Sequence, residues 1–345
     1  MRPFLWSSLV LAPIAFVLDR VGVGDVTLFV VAAAALVPLA WLIGEATEHA
    51  AHHTGPGVGG FINATFGNAP ELIIALFAVA DGLPDVVRGS LSGSVIGNLL
   101  LVLGFSLAFG GKGELDRPSS LISMGLIAAA TLLFLVPAVP GWEGDPERHG
   151  LAVLSAPVSI VLLAAYVAVT WYALRRHRNL HVSDEPSEMK AWSLRLSLAV
   201  LAAATVVTAV VAEMLVGSIE TFAEKAHLSH FFVAAVIVAI VGNAAEHGGA
   251  VVVAARGKIK LAAEIAFASS AQVAVFLIPA VQVLSWAVSP ALPLSFRPVE
   301  IAALGGATAF VGLVLWHGHS SRLRGFVLIG AYVGVAIGFF ATGDR

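Results

Sequence analysis

Long apolar runs are the feature that most restricts what this chain can fold into. Segments of about 20 apolar residues, each long enough to cross about 30 Å of hydrocarbon, recur along nearly the whole sequence. The mean hydropathy of +0.92 and the charged fraction of 12% exclude an ordinary soluble domain. The sequence therefore predicts an all-α polytopic membrane protein.

We predict about eleven transmembrane helices. The first apolar run follows Arg2 and shows no small-residue cleavage pattern before Asp19, so we interpret it as a span and not as a signal peptide. The predicted spans are 4–19, 26–51, 57–80, 86–109, 119–138, 151–174, 192–222, 229–255, 261–287, 294–317 and 324–342.

The positive charges are distributed unequally between the two sides of this topology. With a cytoplasmic N-terminus, thirteen Lys and Arg residues fall on the cytoplasmic side and six on the other. Because Lys and Arg near short loops favour the cytoplasm, the bias predicts that the N-terminus is inside and the C-terminus outside. We expect the membrane to be the plasma (inner) membrane. The absence of cysteine excludes disulfides and thiolate metal sites.

An internal repeat divides the chain into two blocks. GNAPELIIALF at 67–77 recurs in altered form as GNAAEHGGAVV at 242–252, and each copy lies in the second span of a five-span block. Five is odd, so the blocks are predicted to have inverted topology, as in many secondary transporters. The predicted organisation is an extra N-terminal helix (1–25), a first five-helix repeat (26–174), a cytoplasmic linker (175–191) and an inverted second repeat (192–345).

Helix-weakening residues stand at the polar point of each repeated motif. Gly67 and Pro70 are expected to interrupt one helix, and Gly242 the other, since glycine is a poor helix former and proline removes a backbone donor. In the linker, an acidic stretch formed by Asp184, Glu185 and Glu188 is interpreted as a solvated charge run, with regulation by cations as the alternative.

Two acidic residues lie deep inside apolar segments. Glu71 and Glu246 each follow an asparagine by three residues, Asn68 and Asn243, which places amide and carboxylate on one helix face. A charge at mid-membrane costs about 2.5 to 3.5 kcal/mol, so such residues require a role. A hard divalent cation prefers carboxylate and amide oxygens. Two adjacent carboxylates without a cation take up protons, so the pattern predicts exchange of a cation for protons at one site.

Polar residues in the third span of each block are further candidate ligands. They are Ser94 and Asn98 in the first block and Ser269 and Gln272 in the second. The alternative is that these side chains only hold helices together. Gly89, Gly93 and Gly97 form a stripe of small residues typical of close helix packing.

Other titratable residues are assigned to the surroundings of this site. Glu48 and Glu213, in the first span of each block, are candidates for a proton pathway or for the path by which ions reach the site, and His247 is placed to tune Glu246. A cluster of His49, His52 and His53 has spacing that can hold zinc. The favoured interpretation is proton sensing or plain solvation at the cytoplasmic mouth. An intramembrane metalloenzyme is the less favoured alternative, since H-E-x-x-H is absent.

The two motifs resemble those of the cation/proton exchanger (CAX) family of the calcium/cation antiporter superfamily. The similar blocks are Gly67 to Ile73 (GNAPELI), Gly242 to His247 (GNAAEH), NATFGNAPELIIALFA at 63–78 and SSAQVAVFLIP at 269–279. The resemblance implies a ten-helix core of two inverted halves plus one N-terminal helix, and calcium export against proton entry. By motif position, Glu71 and Glu246 would be the shared carboxylates, with the residues Asn68, Asn243, Ser269 and Gln272 holding the ion or its waters.

The expected substrates follow from this reading. Calcium is the transported ion and protons are the counter-ion, without a prosthetic group and without enzymatic activity. Membrane lipid is an expected partner and nucleic acid is not, and homo-oligomerisation is left open. A sodium-coupled antiporter, or one for another cation, remains the alternative within the same fold.

Overall fold

The chain is built almost entirely from helices. The computed structural model describes residues 2–177, 192–288 and 290–344. The helices before the linker are α1 (Arg2–Ser8), α2 (Leu11–Val21), α3 (Asp25–Phe66), α4 (Ala69–Ala80), α5 (Pro84–Ile96), α6 (Leu103–Gly110), α7 (Arg117–Gly141) and α8 (His149–His177). Those after it are α9 (Leu194–Ala226), α10 (His230–Phe232), α11 (Ala239–Gly242), α12 (Ala244–Ala255), α13 (Ile259–Gln272), α14 (Ile278–Ser285), α15 (Pro298–Val314) and α16 (Arg322–Thr342).

Short irregular elements complete the helices. Three π-helical segments, Gly97–Val102, Val233–Val238 and Val273–Leu277, join α5 to α6, α10 to α11 and α13 to α14. Two-residue strands β1 (Gly113–Glu114) and β2 (His319–Ser320) pair antiparallel. The strands connect the loop before α7 with the loop before α16, so these two loops lie at the same end of the molecule.

Many of these helices are membrane spans by length and composition. Within the described residues, eight segments are long and apolar enough to cross a bilayer, and three apolar helices are shorter. The eight are Pro3–Val21, Asp25–Thr54, Pro84–Gly110, Arg117–Gly141, His149–Tyr172, Leu194–Ala226, Ile259–Ser285 and Arg322–Thr342. The shorter ones are Ala69–Ala80, His230–Gly242 and Pro298–Val314. The protein is an integral multi-pass membrane protein, as its composition indicates.

The spacing of the repeated motif extends to the bounds of the helices. Gly242 follows Gly67 by a fixed number of residues. The first residue of α12 follows the first residue of α4 by the same number, and so does the last residue of α12 relative to the last residue of α4. The same interval separates both ends of Pro84–Gly110 from those of Ile259–Ser285. These last two segments are the most buried of the eight spans. Each contains a π-helical segment at nearly the same relative position, so the two halves share local geometry as well as sequence.

The interruptions in the repeated helices are present, but the first differs from the predicted spans. Separate spans at 26–51 and 57–80 were expected, whereas α3 continues from Asp25 to Phe66 and the break falls at Gly67 and Asn68. Pro70 lies in the first turn of α4, where its missing N–H is not needed, so a helix starts there readily. In the second half, the break falls at Asn243, between α11 and α12.

Other predicted boundaries shift by less. The first predicted span divides into α1 and α2 within Pro3–Val21. The predicted linker begins inside α8, which runs to His177. Residues 178–191, including the acidic stretch of Asp184, Glu185 and Glu188, lie outside the described residues.

Glycines permit the closest helix packing in the core. A Cβ atom at Gly93 of α5 would lie 2.0 Å from the carbonyl oxygen of Ala235, in the π-helical segment Val233–Val238. Gly89 also packs on this segment, because a Cβ there would lie 3.3 Å from Cβ of Ala234. Gly97 has no such neighbour within 4 Å. Two members of the predicted stripe therefore support helix packing, and the third does not.

Candidate ion site

Glu71 is a buried carboxylate at the start of an interrupted helix. It is the third residue of α4, and its side chain is only 7% exposed. The N-terminal end of a helix carries a partial positive charge that stabilises a carboxylate in the first turn. Asn68, at the position just before α4, is buried as well. The break at Gly67 and Asn68 thus gives Glu71 a helix terminus in the interior.

The Glu71 side chain meets the second repeated motif directly. A Cβ atom at Gly242 would lie 3.3 Å from Cγ of Glu71 and 3.7 Å from its Cδ and Oε1. Gly242 is the first residue of GNAAEH, so the repeated motif of one half packs against that of the other. A residue with a side chain at position 242 would enter the space that Glu71 occupies.

Asn243 is held by two hydrogen bonds, one of which connects the two halves. Its Nδ2 donates to Ser94 Oγ at 2.7 Å and to the carbonyl oxygen of Ala239 at 2.9 Å. The side chain is 1% exposed, and its Oδ1 is buried without a hydrogen-bond partner among the described residues. The amide nitrogen is therefore committed to protein, which leaves the carbonyl oxygen as the group that can accept a donor or bind a cation.

A second contact between the halves involves two more of the predicted residues. Asn98 Nδ2 donates to Ser269 Oγ at 3.1 Å, and both side chains are buried. Gln272 lies one turn after Ser269 in α13 and is half-buried. Asn98 belongs to the π-helical segment that follows α5, so its side chain reaches α13 from the first half.

Six of the site residues form three equivalent pairs in the two halves, whereas Asn98 and Gln272 have no counterpart of the same type. At the interval that separates Gly67 from Gly242, the residues Asn68, Glu71 and Ser94 are matched by residues of the same type: Asn243, Glu246 and Ser269. Glu246 is the third residue of α12, as Glu71 is of α4. The side chains of Glu246 and His247 lie outside the part of the chain that the structure describes. The contacts of Glu71 are therefore described, whereas Glu246 is assigned to the site by its equivalent position in the sequence.

The acidic residues predicted for a proton pathway are both exposed. Glu48 lies on α3 and Glu213 on α9. Glu213 lines a cavity of about 380 Å³, which also contains Asp19, Arg20 and Asp25. Asp25 begins α3, so this cavity lies about 35 Å along the helix axis from Glu48. The two residues do not share one path in the described geometry.

The histidine cluster is held by contacts with the start of the second half. His53 Nε2 lies 2.6 Å from the carbonyl oxygen of Trp192, and the His49 ring stacks on the Trp192 ring at 4.4 Å. Glu45 Oε1 lies 3.6 Å from His49 Nε2. Within the described residues, no group of three or more His, Cys, Asp or Glu side chains is arranged to hold a metal ion. The contacts of His49 and His53 with Trp192 join α3 to the start of the second half.

Sequence reasoning missed a buried arginine. Arg88 is one of the six Lys and Arg residues assigned above to the non-cytoplasmic side, whereas it is 1% exposed inside α5. Its Nη2 contacts Asp85 Oδ1 at 2.7 Å and Glu147 Oε1 at 2.6 Å, and its Nη1 donates to the carbonyl oxygen of Pro293 at 3.2 Å. The position of Arg88 inside a helix that begins at Pro84 was the available signal.

A buried glutamate in α15 was also missed. Glu300 is 0% exposed, accepts a hydrogen bond from the Arg297 backbone N–H at 2.7 Å, and accepts one from Ser92 Oγ at 3.3 Å. It is the only acidic residue in Pro298–Val314, which could have drawn attention to it. The contact with Ser92 joins α15 to α5, so this carboxylate also connects the two halves.

The comparison with known proteins agrees with this architecture. A sequence profile described as "Sodium/calcium exchanger protein" matches residues 25–175 and 196–341. The "Ca(2+)/H(+) antiporter" of Synechocystis sp. is 36% identical, with 96% of this chain and 95% of that protein covered. The "Ca(2+)/H(+) antiporter ChaA" of Bacillus subtilis is 38% identical, with 91% and 92% covered.

A solved structure gives the same result in three dimensions. The structure of native YfkE is similar to this chain with a TM-score of 0.84 and 33% identity, covering 99% of this chain and 100% of that one. The relatives are transporters and not enzymes, which removes the metalloenzyme alternative. The resemblance to cation/proton exchangers is confirmed. The two matched stretches cover most of the sequence, and this chain belongs to the sodium/calcium exchanger protein family.

Proposed function

We propose that this protein exchanges calcium for protons across its membrane by alternating access, with the ion and the protons competing for Glu71 and Glu246. The observation that carries the proposal is the packing of Glu71 against Gly242, which brings the two repeated motifs together in the interior. Two relatives that are similar over most of their length are named Ca(2+)/H(+) antiporter.

Amide and hydroxyl groups support the choice of a divalent cation. Calcium takes six to eight oxygen ligands from carboxylates, carbonyl groups and water. Asn243 offers a buried carbonyl oxygen, because its nitrogen is bound to Ser94 and Ala239. We propose that Asn68, Ser94, Asn98, Ser269 and Gln272 complete the ligand set, directly or through water. Each proposed ligand is an oxygen-bearing side chain of the type that calcium prefers.

Competition between calcium and protons follows from the helix termini. Glu71 and Glu246 each occupy the first turn of a helix, where the partial positive charge favours the ionised carboxylate. Two ionised carboxylates in one interior site repel each other unless a cation or protons are bound. Calcium binding therefore releases protons, and proton binding releases calcium. The counter-ion needs no separate binding site in this scheme.

The repeat supports alternating access. We propose that 26–174 and 192–345 are inverted five-helix units, that 1–25 adds one helix, and that 175–191 is the linker, with about eleven spans in total. Units of this kind rock around a site at the membrane centre. The hydrogen bonds of Ser94 with Asn243 and of Asn98 with Ser269 lie where the units would move against each other.

Orientation and access paths are part of the same proposal. We place the protein in the plasma (inner) membrane. We propose that its N-terminus lies in the cytoplasm and its C-terminus outside, because of its Lys and Arg distribution. Glu213, in its cavity with Asp19 and Asp25, and Glu48, much further along α3, are proposed to serve opposite faces. His247 is proposed to modulate the adjacent Glu246.

A flux measurement in proteoliposomes tests the function. Purified protein is reconstituted with a pH-sensitive dye inside, and external calcium is added without sodium on either side. Proton movement that depends on calcium and is coupled to uptake of labelled calcium is the expected result. A requirement for a sodium gradient, with no proton movement, would favour the sodium-coupled alternative and overturn this proposal.

A further inference from the structure

An apolar groove lies on the outer surface of the helices, and none of the proposed ion ligands is among its lining residues. It lies between α7 and α15, has a volume of about 330 Å³, and has Phe267 of α13 among its lining residues. Met124 and Leu313 line its walls. The nearest atom to a Cβ placed at Gly312 would be Met124 Sδ, at 3.8 Å, so the missing side chain at this position keeps the groove open. Leu121 and Leu313 line the groove and are exposed, so the groove opens to the outside of the helices, and α7 is long and apolar enough to span a membrane. We therefore infer that the groove faces hydrocarbon.

One end of the groove carries a positive charge. Arg117, the first residue of α7, lines the groove and is exposed. The adjacent Asp116 does not neutralise it, because its carboxylate lies 3.0 Å from Lys260 Nζ and accepts a hydrogen bond from the Ser119 backbone N–H. Within the part of the chain that the structure describes, Arg117 forms no ion pair. The guanidinium is therefore available to an anion at the mouth of the groove.

The same end of the molecule has an excess of positive charge. The pairing of β1 with β2, and the hydrogen bond from the Leu115 N–H to the Gly318 carbonyl at 2.9 Å, bring the loops before α7 and α16 together. Exposed or half-buried cations on the neighbouring loops and helix ends are Lys112, Arg256, Lys258, Arg322 and Arg324. Positive residues of this kind attract the surface of a membrane that contains anionic lipid.

We propose that this groove binds one anionic phospholipid, with its phosphate at Arg117 and an acyl chain between α7 and α15. From Arg117 to Met124 the helix rises about 10 Å, which gives the chain a track of several methylene groups. Trp316, 62% exposed, lies at the same end of the groove as Arg117. Tryptophan prefers the level of the lipid headgroups, where its ring contacts both water and hydrocarbon. The site thus matches a lipid with a negative headgroup and an extended chain.

Native mass spectrometry of the purified full chain tests this proposal, with dioleoyl-phosphatidylglycerol and dioleoyl-phosphatidylcholine as probes. The parent protein is expected to retain one phosphatidylglycerol in preference to phosphatidylcholine. Arg117→Gln is expected to lower phosphatidylglycerol retention about fivefold, the effect of losing one cation near an anionic headgroup. Arg256→Gln removes an exposed arginine at the same end but away from the groove, and is expected to change retention little.

A second variant tests the groove without changing charge. Gly312→Leu fills the space next to Met124 and is expected to reduce retention of phosphatidylglycerol, whereas Gly330→Leu adds the same side chain to an exposed, open position of α16. An equal loss of phosphatidylglycerol retention in Arg117→Gln and Arg256→Gln would overturn the proposal. Retention would then depend on the overall positive charge at this end of the molecule and not on Arg117. Displacement of the lipid by excess inorganic phosphate would also overturn the proposal, since the phosphate group alone would then account for binding and the groove would not contribute to lipid affinity.

Discussion

The side chain of Glu71 lies directly against the backbone of Gly242, so that a Cβ atom at position 242 would be 3.3 Å from Cγ of Glu71. We predict that Gly242→Ala moves the carboxylate and lowers the calcium exchange rate. Forcing a side chain about 30° from its rotamer costs about 0.5 to 1.5 kcal/mol, which corresponds to a loss of about two- to twelvefold. Gly249→Ala, at an open and exposed position of α12, is the matched control and should exchange at the parent rate.

Removing the charge of either central carboxylate should stop exchange. Glu71→Gln and Glu246→Gln keep the size of the side chain but cannot cycle between a proton and a cation, so we expect transport at background level with normal yield of folded protein. Calcium-driven proton flux in proteoliposomes measures the effect. Glu114→Gln removes an exposed carboxylate in β1 and should have no effect. Parent-like exchange by Glu71→Gln would refute the proposed mechanism.

The hydrogen bond between Ser94 and Asn243 should contribute to cation affinity. Ser94→Ala leaves Asn243 Nδ2 with the Ala239 carbonyl oxygen as its remaining partner, so the amide is less firmly oriented. A hydrogen bond contributes about 0.5 to 1.5 kcal/mol, and we expect apparent calcium affinity to fall about two- to twelvefold. Ser90→Ala on the same helix removes only a bond to the Val87 carbonyl and is the control. Equal affinities for the two variants would argue against this role.

Gly93 is predicted to be essential for packing of α5. A Cβ atom there would lie 2.0 Å from the carbonyl oxygen of Ala235, so Gly93→Ala requires backbone movement. Overpacking of this kind costs about 1 to 3 kcal/mol or more, and we expect a lower melting temperature and a lower yield. Gly97→Ala, one turn later and without a neighbour within 4 Å, should be much milder. Equal thermal stability of the two variants would contradict the described contact.

The ion pair of Asp116 and Lys260 should make stability depend on pH. The hydrogen bond from Lys260, and then that from the Ser119 N–H, lowers the pKa of the Asp116 carboxyl. A carboxyl with a lowered folded-state pKa stabilises the fold above its unfolded value, about 3.9, and this contribution is lost as pH falls through the folded value. Asp116→Asn should therefore show a smaller decrease in melting temperature on acidification below about pH 4.

Asparagine remains a good N-cap, so Asp116→Asn preserves the start of α7 while removing the charge. Glu114→Gln, in the neighbouring strand β1, should retain the parent response to acid. An unchanged acid response in Asp116→Asn would show that the pair does not contribute.

The sequence allowed prediction of the features that depend on local composition. Apolar length identified the spans, and the repeated motif located the two helix interruptions, because glycine and proline act on the backbone wherever they occur. Burial of Glu71 followed from its apolar neighbours. Contacts between the two halves could not be predicted in the same way. The hydrogen bonds of Asn243 with Ser94 and of Asn98 with Ser269 depend on how helices that are distant in sequence pack together.

Hydropathy also fails for charges that are compensated by tertiary structure. Arg88 contacts Asp85 and Glu147, and Glu300 contacts Ser92. Asp85 lies only three residues before Arg88, but Glu147 and Ser92 are distant in sequence from the charges that they contact, so no local pattern contains them. Similarly, the continuity of α3 through 52–56 is not predictable from a segment that contains Gly55 and Pro56.

The π-helical segments that follow Ile96 and Gln272 should allow these two helices to tolerate deletion of one residue. A π-turn accommodates one residue more than an α-turn, so each of these positions holds a spare residue. A deletion in a regular α-helical stretch rotates everything beyond it by about 100°, whereas a deletion in a π-turn can be absorbed by relaxation to ordinary α-helix. The two central helices could therefore each lose one residue here while α6 and α14 kept their buried faces. Asn98 lies inside the first of these turns, so the same deletion would preserve the scaffold and displace the side chain that reaches Ser269.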